Sequence, residues 1–285
     1  MKPSITSYSL RQLVESKEIT QVGIIDKAAE LGVEGVEFSN FILEAGDNKT
    51  DIAKQAKQRA ADAGLPLVCY AVGANILADA KAAIEGVKED ARIAAEMGVP
   101  VMRHDVAYGY PPEYKGPRSF ASALPLLSDA CAEITAYAKT LGVRTCVENH
   151  GYFAQDSQRV EALVCAVNDA NFGWLVDLGN FMCADEEPYK AVACATPYAF
   201  HVHAKDFFWR DGSRFAPGEG WFPTRGGNLL RGTIVGHGAV PVPQCLTLLK
   251  NARYEGYVSV EFEGMEDPMT GCRIGLDNLR RFLAQ

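Results

Sequence analysis

AAELGVEGVEF, residues 28–38, carries an alanine-rich helical ending into a glycine and then into a short β-rich apolar run. The same phrase returns as AADAGLPLVCY (60–70), AAEMGVPVMRH (94–104) and AKTLGVRTCVE (138–148). A glycine just past a helix end takes the left-handed conformation that turns the chain into a strand. Those glycines are 32, 64, 98 and 142, so the unit recurs after 32, 34 and 44 residues. That length holds one strand, one loop and one helix, and a period of this kind is read before any single motif.

Further apolar runs bounded by turn signals complete the strands: SITSYS (4–9), FGWLVDL (172–178), AFHVHA (199–204) and GYVSVEF (256–262). Helical patterns lie between them, among them residues 50–64, 81–98, 123–142, 156–170 and 269–283. Strands alternating with helices pair in parallel through right-handed crossovers. Eight such units in 285 residues predict an α/β fold, a single (β/α)8 barrel over residues 1–285. The competing doubly wound sheet would carry a glycine-rich phosphate loop after its first strand, and none follows here.

Bulk properties narrow the function classes. A net charge of -8 argues against a broad nucleic-acid footprint. No window reaches the roughly 18 consecutive apolar residues of a membrane helix, and the opening MKPSITSYSL lacks the features of a signal peptide. The eight cysteines are scattered without a C-x-x-C pair, as reduced thiols in a cytoplasmic protein would be. Residues 207–242 form one long glycine-rich segment with two of the three tryptophans, expected as a loop or lid between strands seven and eight. A homo-oligomer is left open.

In a barrel the active site is built at the carboxyl ends of the strands. The polar residues expected there are Glu37, then Arg103, His104 and Asp105, then Glu148, Asn149 and His150, then Asp177 and Asn180. Strand seven adds His201, His203 and Lys205, which share one face of an extended strand, and strand eight adds Glu261 and Glu263. All five histidines fall on strand ends or in the long segment. Glu148, Asp177, His203 and Glu261 come from four consecutive strands. Three anions around one small space repel and raise each other's pKa values unless a cation joins them. Three carboxylates and one imidazole suit one divalent ion, Mn²⁺ before Mg²⁺, Co²⁺ or Zn²⁺.

The run of ENHG (148–151), VDLGN (176–180), HVHAKD (201–206) and VSVEFEG (258–264) resembles the xylose-isomerase-like barrel superfamily, in its sugar phosphate isomerase/epimerase branch. The resemblance implies a metal held by Glu148, Asp177, His203 and Glu261, with Glu148 and Glu261 as the catalytic base and acid. Glu263 shares a strand face with Glu261, so either could be the last ligand. In the segment before strand eight, Gly236-His237-Gly238 stands where many relatives carry an acid between the glycines. The chemistry implied is proton transfer next to the carbonyl of a keto-sugar or related polyol, through an enediolate. A lyase on the same site, dehydrating a keto-inositol or eliminating an aglycone from a keto-glycoside, is the alternative. A repair endonuclease of the same superfamily would need more histidines and a basic face, and a non-catalytic sugar-binding barrel would have no activity to lose.

Around the metal, His150 and Asn180 are expected to contact substrate hydroxyls, with His150 otherwise orienting a neighbour. Lys205 is expected on a substrate oxygen or the enediolate, or else in an ion pair with Asp206 or Asp177. Arg103 is expected on a carboxylate or phosphate, or else paired with Asp105 or Glu37. His201 is expected deeper in the barrel as support. The partner expected is a small-molecule carbohydrate.

Overall fold

The computed structural model describes residues 1–215 and 217–285; Ala216, inside the expected long loop, lies outside the described residues. Seven strands come first: β1 (Lys2–Thr6), β2 (Val36–Ser39), β3 (Leu67–Val72), β4 (Val101–His104), β5 (Arg144–Glu148), β6 (Phe172–Asp177) and β7 (Ala199–Ala204). Then come β8 (Asp206–Arg210), β9 (Phe222–Pro223), β10 (Leu229–Thr233) and β11 (Tyr257–Val260). Eight of these close a parallel barrel in the order β1-β11-β7-β6-β5-β4-β3-β2. The fold is a (β/α)8 barrel.

The repeated phrase does what its chemistry requires. The helices Lys49–Ala63 and Ala80–Met97 each end on the expected glycine, with φ +67° at Gly64 and +76° at Gly98. Asn48 and Asp79 accept backbone N–H groups at the opposite ends, closing the donors that each first turn leaves bare. Each unit therefore starts and stops where its own residues dictate. Between strands and helices the packing is apolar, with Ile5, Val36, Phe38, Met102, Val147 and Val202 fully buried. No helix among the described residues is long and apolar enough to cross a membrane.

The segment 207–242 is more ordered than its glycine content predicts. β8, β10 and β9 form a separate antiparallel sheet. Two aspartates fasten its ends to the barrel. Asp206 accepts the N–H groups of Phe207, Gly236, Gly238 and Val240 at 2.8–3.0 Å. Asp185 accepts from the Thr224 hydroxyl at 2.7 Å and the Asn228 amide at 2.8 Å. A side chain at Gly238 would meet Asp206 at 2.2 Å, so the Gly-His-Gly turn is glycine because the backbone closes directly on that carboxylate.

Candidate metal centre

The expected residues meet at the carboxyl ends of β5, β6, β7 and β11. One ligand atom each from Glu148, Asp177, His203 and Glu261 lies within 4.8 Å of all the others. His203 Nδ1 stands 3.2 Å from Glu261 Oε2 and 3.7 Å from both Glu148 Oε1 and Asp177 Oδ2. Glu263 is outside this group; its Oε1 lies 3.3 Å from Lys205 Nζ.

The chain immobilises Glu148, Asp177 and His203 through the atom of each that faces away from the cluster. Asp177 Oδ1 accepts the N–H groups of Gly179 at 2.8 Å and Asn180 at 2.9 Å, which aims Oδ2 into the cluster. Asn149 holds the end of β6, donating to the Asp177 carbonyl and accepting from its N–H and from the Trp174 indole. Arg103 Nη2 pairs with Glu148 Oε2 at 2.6 Å, while the Asn180 amide donates to Glu148 Oε1 at 3.0 Å. His203 Nε2 lies 2.9 Å from both oxygens of Glu37, leaving Nδ1 for the cluster.

Asp177 Oδ2 and His203 Nδ1 are buried without a hydrogen-bond partner. Buried polar atoms are rarely left bare, and with Glu261 Oε2 there are three such atoms beside the Glu148 carboxylate, an arrangement that a cation would satisfy. The donor set, three carboxylates and one imidazole, fits a hard to borderline divalent ion. Charge agrees. Burial would neutralise Glu148, but Arg103 above all holds its carboxyl below the ordinary range. At Glu261 the same opposition from burial is overcome by Lys205 and His203. At Asp177 burial outweighs Lys205 and His203 and carries the carboxyl upward. Among these acids it gains most from a bound cation.

A cavity of about 440 Å³ opens over the cluster, walled by Glu148, His203 and Glu261 on one side and by Tyr8 and Asn40 on the other. His150, Lys205 and Arg103 all reach it. His150 Nδ1 bonds Asp105 Oδ1 at 2.9 Å, and Arg103 pairs with Asp105 at 2.7 Å as well as with Glu148. Lys205 pairs with Asp177 at 3.3 Å and Glu261 at 2.7 Å rather than with Asp206, whose carboxylate is taken up by the loop. Asn180 is not brought to the cavity wall: its amide serves Glu148, and its oxygen lies 3.3 Å from Lys205. No described residue of 207–242 lines this cavity. Cys183 is a buried thiol pushed up to about 12 by desolvation, so it is inert.

Glu37 is the residue whose role the sequence did not disclose. It is fully buried and receives both strand-seven histidines, His201 Nε2 at 2.8 Å and His203 Nε2 at 2.9 Å. β2 and β7 are separated by β1 and β11, so these contacts cross the barrel interior. His201 also reaches Ser259 at 2.9 Å, and Ser259 reaches Ser4 at 2.9 Å, as a support beneath the site. A signal existed: Glu37 stands between two fully buried apolar residues on a short strand and so had to face inward.

The model for the xylose isomerase-like TIM barrel matches residues 25–282. The chain belongs to that family. Comparison with the curated proteins finds no match. Among solved structures, the IOLI protein with a bound zinc atom is 15% identical at a TM-score of 0.75, over 100% of this chain and 98% of that one. The probable 3-DHS dehydratase AsbF of Bacillus anthracis is 16% identical at a TM-score of 0.72, over 98% and 99%. D-psicose 3-epimerase in the presence of D-fructose is 18% identical at a TM-score of 0.71, over 100% of both chains. At such identities the likeness is one of fold. By their names these neighbours include a dehydratase and an epimerase.

Proposed function

We propose that this chain is a divalent-metal-dependent isomerase or epimerase of a keto-sugar or related polyol, working by proton transfer next to a carbonyl. The observation that carries the reading is the convergence of Glu148, Asp177, His203 and Glu261 with three buried ligand atoms left bare. These four residues would hold one ion, Mn²⁺ in the first instance. When bound, such an ion would supply Lewis-acid stabilisation of negative charge on a substrate oxygen.

The chain supplies the rest. Glu148 and Glu261 reach the cavity from strands on either side of Asp177 and His203, so one can take a proton from a carbon while the other, protonated from solvent, delivers one. Arg103 keeps Glu148 ionised and fixed, and Lys205 lies close enough to meet a developing negative charge on substrate oxygen. His150, set by Asp105, offers its remaining nitrogen to a substrate hydroxyl. The partner is accordingly a carbohydrate.

Elemental analysis of the protein beside an Asp177→Asn/His203→Ala variant tests the centre. The native chain retains about one ion per molecule and the variant retains none; equal content in the two removes the metal reading. Solvent deuterium appearing at a keto-sugar carbon without loss of a hydroxyl tests the reaction, whereas loss of water or an aglycone would make the protein a lyase.

A further inference from the structure

A second cavity of about 300 Å³ adjoins the first and shares Tyr8, Arg11 and Glu263 with it. Its remaining walls come from three places: the turn after β1, the turn after β11, and the antiparallel sheet of the long insert. From these we propose that the substrate is a keto-sugar carrying a second, uncharged ring, with the reacting sugar over the metal cluster and the second ring in this annexe. The proposal rests on the keto-sugar reading above and adds the substrate's size and polarity.

Size is the first argument. A hexose of about twelve non-hydrogen atoms, at no more than the ~30 Å³ each water takes in the liquid, fills at most roughly 360 Å³. The 440 Å³ cavity therefore holds one such ring. A second ring would find room in the adjoining space, which shares Tyr8, Arg11 and Glu263 with the first.

Chemistry is the second. Phe222 and Phe262 give the annexe apolar faces, while Gly220, Gly232 and Gly264 present bare backbone. The bareness is enforced at Gly232, where a Cβ would stand 2.2 Å from the Glu263 carbonyl. Flat apolar faces beside peptide groups suit a ring with one apolar side and polar edges. Arg11 is the one basic residue among the described residues lining the annexe, and it is already bonded to Glu15, with Nε at 3.0 Å. Glu263 faces the same space, so a phosphate would meet an occupied guanidinium and a carboxylate. A neutral ring meets neither conflict. The insert thereby lines the annexe and leaves the catalytic cavity to the barrel.

Gln12 is exposed on the short helix after β1 and borders only the annexe. Calorimetry on the metal-loaded full chain would compare D-fructose with turanose, lactulose and isomaltulose, each a ketose bearing a second sugar. At least one disaccharide is expected to bind about tenfold more tightly than fructose, as one well-placed aromatic contact allows. Gln12→Trp, which fills the annexe, should erase that advantage while leaving fructose binding and metal content unchanged. Phe222→Ala, trimming the opposite wall, should shrink it. No advantage for any disaccharide, an advantage that survives Gln12→Trp, or no binding of any of the four sugars by metal-replete protein would each overturn the annexe. Failure of the metal reading would show separately, as protein that retains no ion.

Discussion

Glu148 and Glu261 are both paired with a cation, but the cations differ in kind. Arg103 is a planar fork held through its two terminal nitrogens: Val72 O at 3.1 Å, Asp105 at 2.7 Å and Glu148 at 2.6 Å. Lys205 is a point charge shared among Glu261 at 2.7 Å, Asp177 at 3.3 Å and Glu263 at 3.3 Å. A guanidinium in such a fork cannot be reassigned, whereas an ammonium turns among partners on a flexible stem. One wall of the site is therefore rigid and permanently ionised. The other can redistribute charge when an ion or substrate arrives.

The largest effect that sharpens this contrast is on turnover. Glu148→Gln and Glu261→Gln should each lower kcat by about 10²- to 10⁴-fold, read as solvent-proton exchange into a keto-sugar substrate. Full activity in either variant removes that residue from the proton transfer. The cations come next. Arg103→Ala leaves two buried carboxylates without their partner and should cost about 3–5 kcal/mol of stability in urea unfolding, with or without metal. Lys205→Met should destabilise the metal-free protein, and excess divalent ion should restore much of that loss, because the ion takes over the ammonium's role. If metal rescues both variants equally, the two walls are not different in kind.

Much of this was legible in the chain. The four repeated phrases predicted the helix ends, and AFHVHA matches β7 at both limits. The four candidate ligands were legible because each follows an apolar strand, and strand ends share one rim in a barrel. Partnerships were harder to read. Asn180 stands three residues past Asp177, which is compatible with facing the substrate or facing Glu148, and only the fold decides. Order in the long insert was hidden because its fasteners, Asp185 and Asp206, are far in sequence from some of the groups they bind. Tyr8 and Asn40, on the far side of the cavity, carry no spacing signal at all.

A control for the site comes from His104, next to Arg103 but buried against Phe172 instead of reaching the cavity. Its Nδ1 lies 2.9 Å from the Asp105 carbonyl, and desolvation lowers its pKa from 6.5 to about 4. The unfolded chain thus binds the proton first as pH falls. Stability is fully present above pH 6.5 and is lost toward pH 4, by up to ~3 kcal/mol in all. His150 and His203 are raised instead and favour the folded state as pH falls toward 6.5, but both are common to native protein and a His104→Phe variant. The difference between their two stability curves should therefore slope between pH 6.5 and 4. A flat difference would assign the acid sensitivity to the site.

The smallest expected effect probes the support beneath the contrast. Glu37 bonds the ring nitrogen of His203 that points away from the cluster, so it fixes both the tautomer and the tilt of the imidazole. A carboxylate in that position also makes the imidazole a stronger ligand. Glu37→Gln keeps the shape but offers one accepting oxygen to two histidines. Divalent-ion affinity, measured by competition with a chelator, should fall about 10- to 100-fold. The four ligands would all remain, so the loss would belong to orientation alone. Unchanged affinity would mean that the carboxylates around His203 Nδ1 are enough to orient the ring, and that Glu37 serves only to keep His201 and its serine neighbours folded across the barrel interior.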